Sequence, residues 1–180
     1  MTITTVLVMY ATLVATLALG ISLLILRVLP LDTLGSVKGG AFARRDSGLN
    51  VGSPAPPFIA RTNTGALLDT ADLAGSNYLL AFFSSSCPGC LAAVPALESY
   101  ASQLGNSQQL VTVIVGESER RAELEQRLAS IATVICEPEA GPIAAAYRIT
   151  VFPSYLLISD TGTALATGQS ALDLPQPQRQ

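Results

Sequence analysis

Cys87 and Cys90 stand two residues apart in FFSSSCPGCLAAVP, residues 82–95. Thiols at that spacing can act as a redox couple, supply half of a metal site, or fill a turn as inert small side chains. A structural zinc site takes four ligands, and this chain has no histidine, no second CxxC and one further cysteine, Cys136. Those residues cannot complete a tetrahedron, so no metal is expected. The redox reading draws its support from position, since the pair falls where an apolar run ends and a helical pattern begins. Unpaired N–H groups and the positive end of a helix dipole favour a thiolate on the first cysteine, and such sites typically titrate at about 3.5–7.5 against ~8.5 for a free thiol. Cys87 is then the attacking nucleophile and Cys90, one turn into the helix, the resolving thiol. Pro88 suits a first turn, Gly89 permits close backbone packing, and together they tune the couple. No bound cofactor is needed beyond the Cys87–Cys90 disulfide itself.

The elements that must position this pair follow from periodicity. NYLLAFFS (77–84) is a continuous apolar run of strand length, as in a strand buried on both faces. From Pro88 to Leu104 apolar residues recur at helical spacing, and QLVTVIVG and ATVIC read as further strands. Between those two strands, ESERRAELEQRLAS predicts a surface helix with i,i+4 pairs Glu117–Arg121 and Glu123–Arg127, its charges serving solvation. GPIAAAYRI predicts a short helix, and SYLLIS and TALATG a hairpin around Asp160-Thr161-Gly162. PFIAR and ALLD predict a smaller hairpin before the first long strand. Alternation of this kind argues for an α/β fold, a central mixed sheet flanked by helices. Pro153 in TVFPSYLLIS directly precedes a buried-strand pattern, a position that packing alone can explain. Cys136, near the end of a short strand, reads as a buried small side chain, with a disulfide-capturing third thiol as the alternative.

Outside this unit the sequence changes character. Residues 3–26 carry no charged side chain and are long enough, at roughly 1.5 Å per residue, to cross a ~30 Å hydrocarbon layer as a transmembrane helix. A cleaved signal peptide fits less well, because there is no basic lead and no small-x-small cleavage site. Residues 27–48 are rich in Gly and Ser and read as a flexible linker, 49–172 as the folded domain, and 173–180 as a disordered tail. In 51–172 the basic residues are Arg61, Arg120, Arg121, Arg127 and Arg148, with acidic residues in excess, which gives no basic stripe and excludes nucleic acid as a partner. Arg27, Lys38, Arg44 and Arg45 follow the apolar run, and the positive-inside bias places the domain in the cytoplasm.

With these motifs in place, the strand ending at CxxC, Pro95 five residues after the second cysteine, and VFPSYLLI further on resemble the thioredoxin fold. VGSPAPPF, TGALLDTADLAG, FFSSSCPGC, VIVGES and YRITVFPSYLLISDTG more closely resemble membrane-anchored TlpA/ResA-like disulfide reductases, with MauD-like accessory proteins in the same neighbourhood. The resemblance implies a thioredoxin-like fold, Cys87 and Cys90 as the catalytic pair, Pro153 as a cis-proline facing them, and Phe152 as the residue whose backbone receives an extended substrate. It makes Pro95 a helix-kink proline, and it implies client protein disulfides as substrates, a membrane or soluble thiol as electron donor, and an extracytoplasmic domain, against the charge bias. Three positions depart from the family pattern. Ala81 stands where a carboxylate or amide is common, Ala93 where some relatives have glutamate, and Ser86 where an aromatic usually precedes the first cysteine. Glu98 shares the helix, but its spacing places it on a solvated face. Proton transfer at Cys90 must then use water or an acid elsewhere. Two other functions compete with client reduction. VGSPAPPF also opens peroxiredoxins, but their Pro-x-x-x-Thr/Ser-x-x-Cys loop would need proline at Ala81 beside Ser84, and no suitable arginine is evident. A non-enzymatic, MauD-like maturation factor is the other.

Overall fold

An uninterrupted apolar stretch such as Tyr78–Ser84 has no side to turn to water, so it belongs inside a sheet covered on both faces. The computed structural model, which describes residues 3–28, 47–104 and 109–175, places it there. In chain order the elements are α1 (Ile3–Val28), β1 (Ile59–Arg61), β2 (Leu67–Asp69), β3 (Tyr78–Ser84), α2 (Pro88–Ala101), β4 (Gln109–Val115), α3 (Arg120–Leu128), β5 (Thr133–Glu137), α4 (Pro142–Ala146), β6 (Ser154–Ile158) and β7 (Ala164–Gly168). The chain divides into two units, Met1–Ala43 and Arg44–Gln180.

In the second unit five strands form one mixed sheet in the order β5-β4-β3-β6-β7, and β1 and β2 form a separate antiparallel hairpin. β3 runs parallel to β4 and antiparallel to β6, and all seven of its residues are buried. Alternate side chains supply two cores. Leu80 and Phe82 pack with Val111, Val113, Ile135 and Leu156 under α4 and the β1–β2 hairpin. Leu79, Ala81 and Phe83 face the other way, toward Val94 and Leu97 of α2 and Leu124 and Leu128 of α3. Sequestering a side chain such as Phe82 or Phe83 contributes about 1.5–3 kcal/mol, so β3 serves as the shared wall of both cores. The β6–β7 turn needs Gly162, whose φ of 77° is a left-handed conformation that side chains disfavour.

The expected boundaries shift at both ends. Ser47 and Gly48 belong to the fold: the Ser47 hydroxyl accepts from the N–H groups of Thr150 (3.0 Å) and Val151 (3.1 Å), and Gly48 N–H donates to Arg148 O at 3.0 Å. At the other end, a 3-10 turn over Ala171–Asp173 is closed by a capping box between Ser170 and Asp173. Leu174 is buried, and Tyr100 Oη donates to Pro175 O at 2.9 Å. Residues 171–175 therefore belong to the fold, because a partner of this short segment, Tyr100, lies far away in sequence on α2. Most of the expected linker (29–46) and the rest of the tail (176–180) lie outside the described residues.

In the first unit α1 is one continuous helix, with the Thr12 and Thr16 hydroxyls turned back onto the carbonyls of Met9 and Leu13. The side chains of 21–28 are not described, and among the described residues no helix is long and apolar enough to cross a membrane. The expected span over residues 3–26 thus rests on sequence.

Candidate functional site: a dithiol beside a cis-proline

β3 delivers the chain to Ser84, and Ser85 N–H still pairs with Val115 O at 2.9 Å before the backbone turns into α2. Cys87 is the N-cap residue of α2, with extended backbone, and Pro88 follows where no N–H is required. The two cysteines of the motif differ sharply in exposure. Cys87 is half-buried, whereas Cys90 is fully buried, and both are free thiols. Cys90 Sγ accepts from Ser84 N–H at 3.3 Å. Burial pushes the Cys90 thiol up to about 12; the Ser84 N–H opposes that rise and the adjacent Cys87 adds to it. Cys90 is consequently held as a thiol.

The Phe152–Pro153 bond is cis, as the resemblance implied. The Cys87 thiol lies 3.7 Å from Phe152 O, the backbone group expected to meet substrate. Ser47 holds the approach to this bond through Thr150 and Val151 and sits 3.3 Å from the Ser154 hydroxyl. A groove of about 590 Å³ opens beside Cys87, lined among others by Ser86, Phe152, Thr150, Ile149, Ala144 and Glu139. Its α4 wall is held by the buried Glu137, whose carboxylate accepts from the N–H groups of Ile143 (2.9 Å) and Ala144 (2.8 Å), donors left unpaired at the start of any helix.

The sequence reading missed a clamp on the loop ahead of Cys87. Arg120 donates through Nε to Ser85 O (3.3 Å) and through Nη2 to Ser86 O (3.0 Å), and Ser118 Oγ donates to Ser85 O at 2.6 Å. The charge of Arg120 therefore does more than solvate α3, a role that periodicity cannot show because its partners lie more than thirty residues away. Glu117 and Arg121 pair as expected at 2.7 Å. Arg127 instead reaches across to Glu98 at 3.0 Å, which replaces the expected Glu123–Arg127 pair and makes Glu98 a surface link between α2 and α3. Pro95 lies within α2. Cys136 is half-buried on the α3 side of the sheet, its thiol raised by burial and by Glu125 while Arg121 opposes. Among the described residues no cluster of three or more metal-ligating side chains occurs.

Comparison with known proteins agrees with this geometry. The thioredoxin domain of a thiol-disulfide oxidoreductase from Bacteroides vulgatus superposes with a TM-score of 0.59 at 20% identity, covering 69% of this chain and 92% of that one. A putative thiol:disulfide interchange protein DsbE from Chlorobium tepidum gives 0.54 at 26% identity, covering 66% and 84%. A secreted Mycobacterium tuberculosis disulfide oxidoreductase homologous to E. coli DsbE gives 0.54 at 22% identity, covering 68% and 87%. No curated protein matches the chain significantly. The AhpC/TSA family model matches residues 51–165, a range that takes in the dithiol, the groove and the cis-proline, and on that match this thioredoxin-fold chain belongs to the AhpC/TSA family.

Proposed function

We propose that the protein is a thiol-disulfide oxidoreductase that reduces disulfides in client proteins, anchored by its N-terminal helix with the folded domain on the extracytoplasmic side. The observation that carries the chemistry is the asymmetry of the dithiol: a half-exposed Cys87 at a helix N-terminus, beside the cis Phe152–Pro153 bond, with Cys90 buried one turn behind it. In this reading an extended client segment lies along the groove against Phe152. Cys87 attacks one client sulfur, the client S–S bond breaks, and a mixed disulfide forms as the first client thiolate leaves. Cys90 then loses its proton to that thiolate or to solvent and attacks Cys87 Sγ, releasing the second client thiolate. The client gains two electrons, the pair becomes a disulfide, and a membrane or soluble thiol donor restores it. The uncharged run 3–26 supports the anchor. The basic residues after it are spread over some twenty positions, which weakens their inward bias and leaves room for an outward domain.

A peroxidase is the less fitting reading of the same family. Ala81 occupies the position where its loop would need proline, and the Arg120 donors beside the loop are engaged by backbone carbonyls. The test is the reduction potential of the Cys87–Cys90 couple in the full chain, together with its turnover of a protein disulfide and of hydrogen peroxide. A potential near or below about −250 mV, with turnover abolished by Cys87→Ser, is expected. A potential near about −120 mV would make the protein a disulfide donor, and rapid peroxide consumption would make it a peroxidase.

A further inference from the structure

Two buried side-chain hydroxyls have no hydrogen-bond partner among the described residues, Thr112 Oγ1 and Tyr155 Oη. They are not scattered. In the β4-β3-β6 ladder Ala81 pairs with Thr112 on one side and with Tyr155 on the other, so the two hydroxyl residues flank a single methyl group. All three residues are essentially unexposed, at 0%, 0% and 1%. Ala81 and Tyr155 belong to the core that also contains Cys90, and the Tyr155 ring stands edge-on to Phe83 with centroids 5.9 Å apart. Leaving a buried hydroxyl unpaired is costly, and a phenylalanine would fill the same space without that cost. The persistence of the hydroxyl calls for a state of the molecule in which it is paired.

Cys90 provides such a state. Its sulfur is fully buried and has one N–H donor, from Ser84, in the dithiol form. During turnover that sulfur must carry negative charge, as the attacking group when the mixed disulfide resolves or as the leaving group when a donor reduces the disulfide. A charge formed at such a depth needs donors aimed at it. We propose that the Tyr155 hydroxyl donates a hydrogen bond to Cys90 Sγ as the thiolate forms, acting directly on the reacting sulfur. Thr112 is the companion hydroxyl across Ala81. The phenol keeps its own proton throughout. The Cys90 proton leaves to the first client thiolate or to solvent, the Cys90–Cys87 bond forms, and the Cys87–client bond breaks. Burial and the proximity of Cys90 both hold Tyr155 in its protonated, donating form. The Ser84 N–H and Cys87 act on Cys90, and Cys90 in turn acts on Tyr155, while Glu98 and Arg127 at the α2–α3 surface are occupied with each other.

This inference rests on the dithiol chemistry proposed above, and one experiment separates the two. Full-length reduced protein carrying Cys136→Ser is mixed with excess Ellman's reagent, and release of the coloured thiolate is followed by stopped flow. Attack by Cys87 gives the first equivalent and resolution by Cys90 the second, and Cys90→Ser removes only the second. If the protein shows no resolving phase, the oxidoreductase reading itself fails. If it shows one, Tyr155→Phe is expected to leave the first phase unchanged and slow the second at least about tenfold, the usual weight of a hydrogen bond to a charged group. The pH profile of the second phase should move to higher pH in the same variant, a change that altered packing alone would not cause. Tyr155→Phe removes an unpaired buried group and so preserves the fold. Identical second phases and pH profiles in the parent and Tyr155→Phe would overturn the proposal.

Discussion

Cys87 and Cys90 are one helical turn apart and border the same core, yet one is half-exposed and the other sealed. Beside Cys87 lie a groove, the Phe152 carbonyl and a short helix, α4, held by a single carboxylate. Around Cys90 lie α2, α3, a closed apolar core and two hydroxyls unpaired among the described residues. The surroundings of Cys87 are open, with the carbonyl of Phe152 3.7 Å from its thiol. The surroundings of Cys90 are sealed, with its sulfur fully buried. In the proposed disulfide exchange the two half-reactions make opposed demands, access for the first and a controlled interior for the second. β3 braces both surroundings, with Leu80 and Phe82 in the core under α4 and Ala81 and Phe83 in the core that holds Cys90.

Three perturbations sharpen this contrast, in falling order of effect. On the open side, Glu137→Ala leaves the first N–H groups of α4 unpaired in a buried setting and should lower stability by about 2–3 kcal/mol in urea unfolding. It should also weaken client capture while the resolving step keeps its rate. Equal losses in both steps would show that the two sides are not independent. On the closed side, the raised Cys90 thiol makes the reduced protein sensitive to pH. The unfolded chain ionises this thiol near 9 and the folded protein only near 12, so stability is full below about pH 9 and falls as pH rises toward 12. The disulfide form has no such proton to lose. Unfolding curves of the two redox forms should therefore diverge above about pH 9, and parallel curves would contradict the sealed environment. At the outer fringe, Glu98→Ala breaks a partly exposed ion pair and should cost less than about 1 kcal/mol with exchange unchanged.

Legibility in the sequence followed the range of the interactions. The buried run at 78–84, the alternation of strands and helices, and the placement of CxxC at a strand-to-helix junction are local patterns, and the structure has them where periodicity put them. The cis bond at Pro153 came from resemblance, since position alone did not require it. Features set by register or by distant pairing leave no local pattern in the sequence. Thr112 and Tyr155 look like ordinary strand residues until the ladder sets them on either side of Ala81. Arg120 looks like one more charge on a surface helix until the β3–α2 loop arrives beneath it. Arg127 had two carboxylates within reach, and the spacing rule favoured the neighbour on its own helix over the one on α2.

The Ser47 hydroxyl has a practical consequence for cutting the domain free. The family match begins at residue 51, which invites a truncation there. Such a cut would strip the acceptor from the amides of Thr150 and Val151, immediately upstream of the bond that faces Cys87. A domain trimmed at residue 51 would carry a loosened cis-proline loop beside Cys87. A cut that keeps the site intact falls ahead of Ser47, whose hydroxyl already braces the cis-proline loop.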